Sequence, residues 1–325
     1  MKLYIGIDGG ASKTRAVLIN ENGKTLNKIT INKGTNLKEF EEQAPKLLIE
    51  LIVDLCGELE LSIKDISAFG FGLAAISFDR GRESLFKELD RHGISNKSLL
   101  INDAEAAYKI VCPEDVGILI TVGTGIVCIA KNLDGNFVKS AGKGHANDLG
   151  SGYWIGKETF LKLALNEATI DYDNNLLEIK NIILDKFNYG SFKETLIHIS
   201  ESENSLTLKA SIAKDILLIS DKNEVAMKII QQATYNLSEY ILQIIDSLDY
   251  KPSSELILFG NGSIINSLQY RKSLSDALLF DYPNINWVFS NLSASYGAAI
   301  LAALSKDNII ITPKMILKGD YLVST

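Results

Sequence analysis

The chain has 325 residues, a formal net charge of −7, 46% hydrophobic and 22% charged residues, which is the composition of a globular protein with room for two domains. The acidic balance and the lack of any basic block argue against a general nucleic-acid binder. Cys56, Cys112 and Cys128 are isolated in apolar surroundings, with no CxxC and no HExxH around His92, His145 and His198, so neither a disulfide frame nor a zinc site is expected.

Asp8 follows Met1 too closely for a secretory signal, and no apolar run reaches membrane-spanning length, so a cytoplasmic protein without a membrane partner is expected. Ile5 to Asp8 reads as a buried strand, Gly9-Gly10-Ala11-Ser12-Lys13-Thr14 as a tight glycine turn, and Ala16–Ile19 as a second strand closed by the Asn22-Gly23 hairpin signal. The glycines let backbone approach a ligand, and the turn amides with Ser12, Lys13 and Thr14 offer donors to a phosphate. Asp8 beside that phosphate is tolerable when a hydrated Mg²⁺ lies between them. An ordinary hairpin with a solvated Asp-Gly turn is the simpler reading of this stretch alone.

Thr25–Ile31 continues as a third strand, Gly34-Thr35-Asn36 as a turn, and 40–59 as an amphipathic helix that Asn36 could cap. A substrate amide at the mouth of a cleft fits Asn36 equally. Residues 66–72 read as a short buried strand ending in small residues (Gly70, Gly72, Ala74, Ala75), 82–92 as a charged helix and 98–101 as another strand. Asn102-Asp103-Ala104 then passes from strand end into an Ala-rich helix. Asp103 is well placed as its N-cap, and it also lies at the carboxyl end of a strand, where open α/β sheets bind ligands.

Residues 116–137 repeat the opening design: a strand, the turn Val122-Gly123-Thr124-Gly125, a second strand and the Asp134-Gly135 hairpin. Gly9 to Gly23 spans 14 positions and Gly123 to Gly135 spans 12, so the echo indicates an internal duplication, two lobes each presenting a phosphate loop to a shared cleft. The polar, glycine-rich stretch 142–152 enters a helix over 153–165, and the chain from 176 to 250 is mostly helical, with 226–248 its longest element. Residues 255–259 form a strand leading into Gly260-Asn261-Gly262, a turn that admits a flat ring or ribose against the backbone. Asn291 or Ser293 caps a last helix, whose Gly297 and Ala298 allow close approach to a second helix.

No Gly-Lys-[Ser/Thr] stands in Walker A register, no GxGxxG follows the first strand, and the protein-kinase signatures are missing. The paired hairpin turns, the Asp between them and the late Gly-x-Gly together resemble the actin-like ATPase superfamily. Within it the chain resembles the N-acetylglucosamine kinase branch, the BadF/BadG-type ATPases, over nearly its whole length. Gly6-Ile7-Asp8-Gly9-Gly10 with Ser12-Lys13-Thr14 resembles the first phosphate motif, Gly123-Thr124-Gly125 the second, and Gly260-Asn261-Gly262 the adenosine motif. Asn102-Asp103-Ala104 resembles the family's Asn-Asp-Ala, and Gly144-His145 through Gly150-Ser151-Gly152-Tyr153-Trp154-Ile155-Gly156 its long Gly-His to Trp-Ile-Gly signature. The loop is one residue shorter between His145 and Gly150, and Leu149 stands where the family carries Glu. The cluster-binding cysteines of the dehydratase activases and the zinc motif of the ROK sugar kinases are absent.

The resemblance implies an α/β, two-lobed, ribonuclease H-like fold with duplicated mixed sheets and a central ATP cleft. It divides the chain at 113/114 and places a helical insertion around 165–250 in the second lobe. It implies ATP and Mg²⁺ as cofactors, Asp103 as catalytic base, Asp8 holding Mg²⁺ through water, and Asn36, Asp103, Gly125, His145 and Asp148 contacting an amino sugar. The implied reaction is phosphorylation of the 6-hydroxyl of N-acetylglucosamine or a related hexosamine (N-acetylmuramate, glucosamine), with carbohydrate metabolism and cell-wall recycling as its setting. A nucleotide-gated regulator that grips a protein partner is the alternative, and a homodimer is left open.

Overall fold

The computed structural model describes residues 1–112, 117–144, 147–248, 255–317 and 322–324. In chain order the elements are β1 (Leu3–Gly9), β2 (Thr14–Asn20), β3 (Thr25–Ile31), α1 (Gln43–Gly57), β4 (Ala68–Leu73), α2 (Asp79–Arg91), β5 (Ser98–Asn102) and α3 (Asp103–Val111). Then come β6 (Ile118–Val122), β7 (Ile126–Lys131), β8 (Phe137–Lys139), α4 (Gly152–Leu165), α5 (Asn174–Phe187), α6 (Phe192–Glu201), α7 (Ser205–Ser211), α8 (Ala213–Ile219), α9 (Glu224–Asp246), β9 (Glu255–Asn261) and α10 (Leu268–Leu278). The chain closes with β10 (Asn284–Ser290), α11 (Ala294–Asp307), α12 (Pro313–Ile316) and β11 (Leu322–Ser324).

Two compact units result, one formed by 1–116 with 288–325, the other by 117–287. The chain thus passes between units twice, where the sequence reading set one boundary at 113/114. The second passage follows from α11, whose small residues bury themselves in the first unit. Gly6 of β1 meets Ser295 O and Ala299 N, Gly70 of β4 meets Ala298 O, and Gly297 meets Ala106 O of α3, each so closely that a Cβ would overlap backbone. Substituting alanine at any of them is expected to cost about 1–3 kcal/mol through overpacking.

The first unit carries a five-stranded sheet in the order β3-β2-β1-β4-β5, with β1 antiparallel to β2 and parallel to β4, and β4 parallel to β5. Alternation sends Ile5 and Ile7 of β1 to one face, where both are fully buried among Leu48, Ile52 and Leu55 of α1. Burying such a side chain contributes about 1.5–3 kcal/mol. Gly6 and Asp8 share the opposite face, toward α11 and α3. The small residues Gly70 and Gly72 of β4 also face these helices, so their size admits packed backbone.

The other sheet is six-stranded, in the order β11-β10-β9-β6-β7-β8, with β6 antiparallel to β7 and parallel to β9, and β10 antiparallel to β11. The expected helical stretch is present as α5 to α9, and α9 buries Ile230, Ala233, Leu237, Ile241 and Ile244 at helical spacing. Strands β8, β10 and β11 fall where the sequence reading assigned no strand.

Candidate functional site

In the first unit, the carboxyl ends of β1, β4 and β5 bring Asp8 and Asp103 onto one sheet edge. Asp8 pairs in register with Gly72, and Gly72 with Ile101. The α-carbon of Asp103 lies 3.7 Å from the point where a Cβ at Gly72 would stand. With strands about 4.8 Å apart, the two aspartates sit within roughly 10 Å of each other on the α3/α11 face. The helix cap differs from expectation. Asn102, in extended conformation, is the N-cap and accepts the Ala104 N–H through Oδ1 at 3.0 Å. Asp103 is the first helical residue, and its Oδ1 also lies 3.0 Å from that N–H.

Antiparallel pairing of β1 and β2 sets Arg15 opposite Asp8, and Arg15 Nη1 donates to Asp8 Oδ2 at 3.1 Å. Burial pushes the Asp8 carboxyl above the usual carboxylate range, and the guanidinium opposes that rise without cancelling it. The side chain keeps 18% exposure. Among the described residues no three His, Cys, Asp or Glu side chains gather to hold a metal.

The turn after β1 is braced from within. Gly10 N donates to Lys13 O at 3.2 Å, while the Thr35 and Asn36 amides donate to Gly10 O at 2.9 and 3.1 Å. Thr14 is fully buried and gives its hydroxyl proton to Lys33 O at 2.8 Å, with Thr35 Oγ1 at 3.0 Å. Its hydroxyl therefore fixes the turn, contrary to the expectation of a phosphate donor. Ser12 and Lys13 stand exposed at the tip. Asn36 Oδ1 accepts the Lys38 and Glu39 amides at 2.9 and 3.3 Å, turning the chain toward α1, and the residue is half-buried.

In the second unit, Gly123 N donates to Gly125 O at 2.9 Å and closes the turn between β6 and β7. The start of α4 supports that turn directly, with Gly152 N donating to Gly123 O at 2.8 Å and Tyr153 N to Thr124 O at 3.0 Å. Ser151 caps the helix by accepting the Trp154 N–H at 3.2 Å. A Cβ at Gly152 would stand 2.6 Å from Gly123 O, so the contact requires glycine. The parallel register of β6 with β9, Ile120 opposite Gly260 and Thr121 opposite Asn261, sets the Gly-Asn-Gly turn beside this one. Gly262 has φ +102°, and Asn261 Nδ2 donates to Thr121 Oγ1 at 3.4 Å.

The loop before α4 is ordered by Asp148, only 4% exposed, whose Oδ1 accepts the Gly142 and Lys143 amides at 3.0 and 2.9 Å. Tyr240 of α9 accepts the Leu149 N–H at 3.2 Å and donates to Asn147 O at 2.9 Å, while buried Tyr270 of α10 donates to Gly150 O at 2.9 Å. His145 lies outside the described residues. Sequence reasoning missed Arg15, Thr35, Tyr240 and Tyr270. Arg15 alone left a signal, at the position across the hairpin that pairs with Asp8.

Comparison with solved structures identifies the fold. A candidate N-acetylglucosamine kinase from Chromobacterium violaceum superposes with a TM-score of 0.73 at 20% identity, covering 93% of this chain and 99% of the other. A ROK family glucokinase from Streptomyces griseus in complex with glucose and AMPPNP gives 0.58 at 18% identity, covering 92% and 98%. The chain has the α/β actin-like ATPase fold, with a mixed sheet in each unit. In sequence it is similar to the N-acetylmuramic acid/N-acetylglucosamine kinase of Clostridium acetobutylicum, 27% identical over 93% of this chain and 98% of the relative. It is also similar to the N-acetyl-D-glucosamine kinase of Dictyostelium discoideum, 24% identical over 94% and 99%. Residues 5–305 match one family throughout: the chain belongs to the BadF/BadG/BcrA/BcrD ATPase family.

Proposed function

We propose that this chain is an ATP-dependent amino-sugar kinase that phosphorylates the 6-hydroxyl of N-acetylglucosamine or a related hexosamine, N-acetylmuramate and glucosamine included. The observation that carries the reading is the pair Asp8 and Asp103 on one face and one edge of one sheet, beside a turn with exposed Ser12 and Lys13. The full-length likeness to kinases of these two sugars supports the substrate class.

In this reading Asp103, held at the start of α3, accepts the proton of the sugar hydroxyl as its oxygen bonds to the γ-phosphorus and the bond to the β-phosphate oxygen breaks. The Gly9–Lys13 and Gly123–Gly125 turns hold phosphate oxygens, Gly260, Asn261 and Gly262 the adenosine, and Asn36, Gly125, His145 and Asp148 the sugar. Asp148 has already committed Oδ1 to the loop, so its part is to set the loop's shape as well as to meet the sugar. A single carboxylate with one oxygen paired to Arg15 suits a hydrated Mg²⁺ completed by phosphate and water, and does not suit a cage of protein ligands. Mg²⁺ bound there neutralises phosphate charge.

The deciding experiment measures ATP consumption with N-acetylglucosamine, N-acetylmuramate, glucosamine and no sugar, with identification of the phosphorylated carbon. Stimulation with a 6-phosphate product is expected. Stimulation by no sugar would replace this reading with a nucleotide-gated regulator of a protein partner.

A further inference from the structure

Between α9 and α10 lies a groove of about 730 Å³, within the range of small-molecule sites. No residue given a role in the kinase chemistry lines it. Its charged side chains balance, Asp221 and Asp276 against Lys228 and Lys272, so it offers no net field to attract a nucleotide or another strongly charged compound. What remains is suited to hydroxyl groups: the amides of Gln231 and Gln269 can each donate and accept. Tyr235, 55% exposed, presents a flat apolar ring with a polar tip. Thr234 and Ser273 join the two helices at this level through hydroxyls 2.7 Å apart.

The same two helices hold the loop before α4 on their other side. Ala233, next to Thr234, sets its carbonyl against Gly150, Tyr240 of α9 bonds Asn147 and Leu149, and Tyr270, next to Gln269, bonds Gly150. A ligand that changes the spacing of α9 and α10 therefore moves three attachments of the loop that contains Asp148. We propose that this groove is a second, regulatory binding site for an uncharged carbohydrate of one or two rings, coupled to the loop through Tyr240 and Tyr270. The coupling to catalysis rests on the kinase reading; the binding does not.

The β-1,4 disaccharide of N-acetylglucosamine is the probe, titrated calorimetrically into the full chain and into Gln231→Trp, which fills the groove, and Tyr235→Ala, which removes the ring. Both positions are exposed, so both variants should fold. Saturable binding is expected, weakened at least tenfold in each variant and unchanged in Asp103→Asn. In turnover assays the disaccharide should shift the KM for the monosaccharide at least threefold in the unaltered protein and in neither groove variant. Absence of binding, or binding that survives both groove variants, overturns the site. Binding without a KM shift overturns the regulatory role. If no monosaccharide is phosphorylated, the kinase reading falls while the titrations still decide the groove.

Discussion

The two sheet edges that bear the glycine turns are built alike and equipped differently. Each lies at the carboxyl ends of parallel strands, β1 with β4 in one unit and β6 with β9 in the other. The first edge carries two carboxylates, Asp8 and Asp103, and braces its turn with buried hydroxyls, Thr14 and Thr35. The second pairs two glycine turns and braces the Gly123–Gly125 turn with the amides that open α4. A duplicated strand-turn-strand unit thus fixes where a loop goes, while its neighbours decide what surrounds it: two carboxylates on one edge, backbone amides and a second glycine turn on the other.

The largest test of that division is Asp103→Asn. Loss of the proposed base should lower kcat by about 10²–10⁴-fold, roughly 3–5 kcal/mol of barrier, with nucleotide affinity by calorimetry nearly unchanged. Equal losses of kcat and of nucleotide affinity would erase the distinction between the edges. On the other edge, Gly152→Ala forces a Cβ against Gly123 O. It should cost about 1–3 kcal/mol in denaturant unfolding and raise the KM for ATP more than it lowers kcat.

Thr14→Val removes the buried hydroxyl that bonds Lys33 O. About 1–3 kcal/mol of stability should be lost, because the carbonyl is left unpaired; the corresponding change on the second edge, Thr124→Val, removes no hydroxyl bond seen there and should be nearly neutral in stability. The smallest effect on stability concerns Asp8, whose carboxyl is raised in the folded protein. The folded state then binds its proton more tightly than the unfolded chain does, so this group's contribution falls as pH rises from the ordinary carboxylate value through the raised one. Asp8→Asn should remove that slope and raise the nucleotide-free melting temperature at neutral pH, while turnover with Mg²⁺ and ATP collapses. Arg15, left without its carboxylate, is 43% exposed and can be solvated.

Both glycine turns were legible because their signals are local: an apolar run, glycines, then a second apolar run with an Asn-Gly or Asp-Gly hairpin. The helical stretch α5 to α9 was legible from its 3.6-residue periodicity. The pairing of Arg15 with Asp8 depends on strand register. The inward turn of Thr14 depends on Lys33 and Thr35, about twenty positions away. Asn102 and Asp103 are both good caps, and only the extended backbone at Asn102 decides between them. Tyr240 and Tyr270 sit in amphipathic helices that read as scaffold, and their hydroxyls meet the loop from more than ninety residues away. Such contacts are properties of the packed chain, which spacing in sequence does not reveal.

The glycine-mediated seating of α11 against β1, β4 and α3 bears on how the protein is made. Its first unit lacks one covering layer until α11 has been made, because the helix that covers one face of β1 and β4 follows them only after the whole second unit. The other unit is continuous in sequence, so during translation it can finish before the first is covered by α11. Until then the α11-facing side of the first sheet is exposed on the nascent chain, and that is where a chaperone would be most useful.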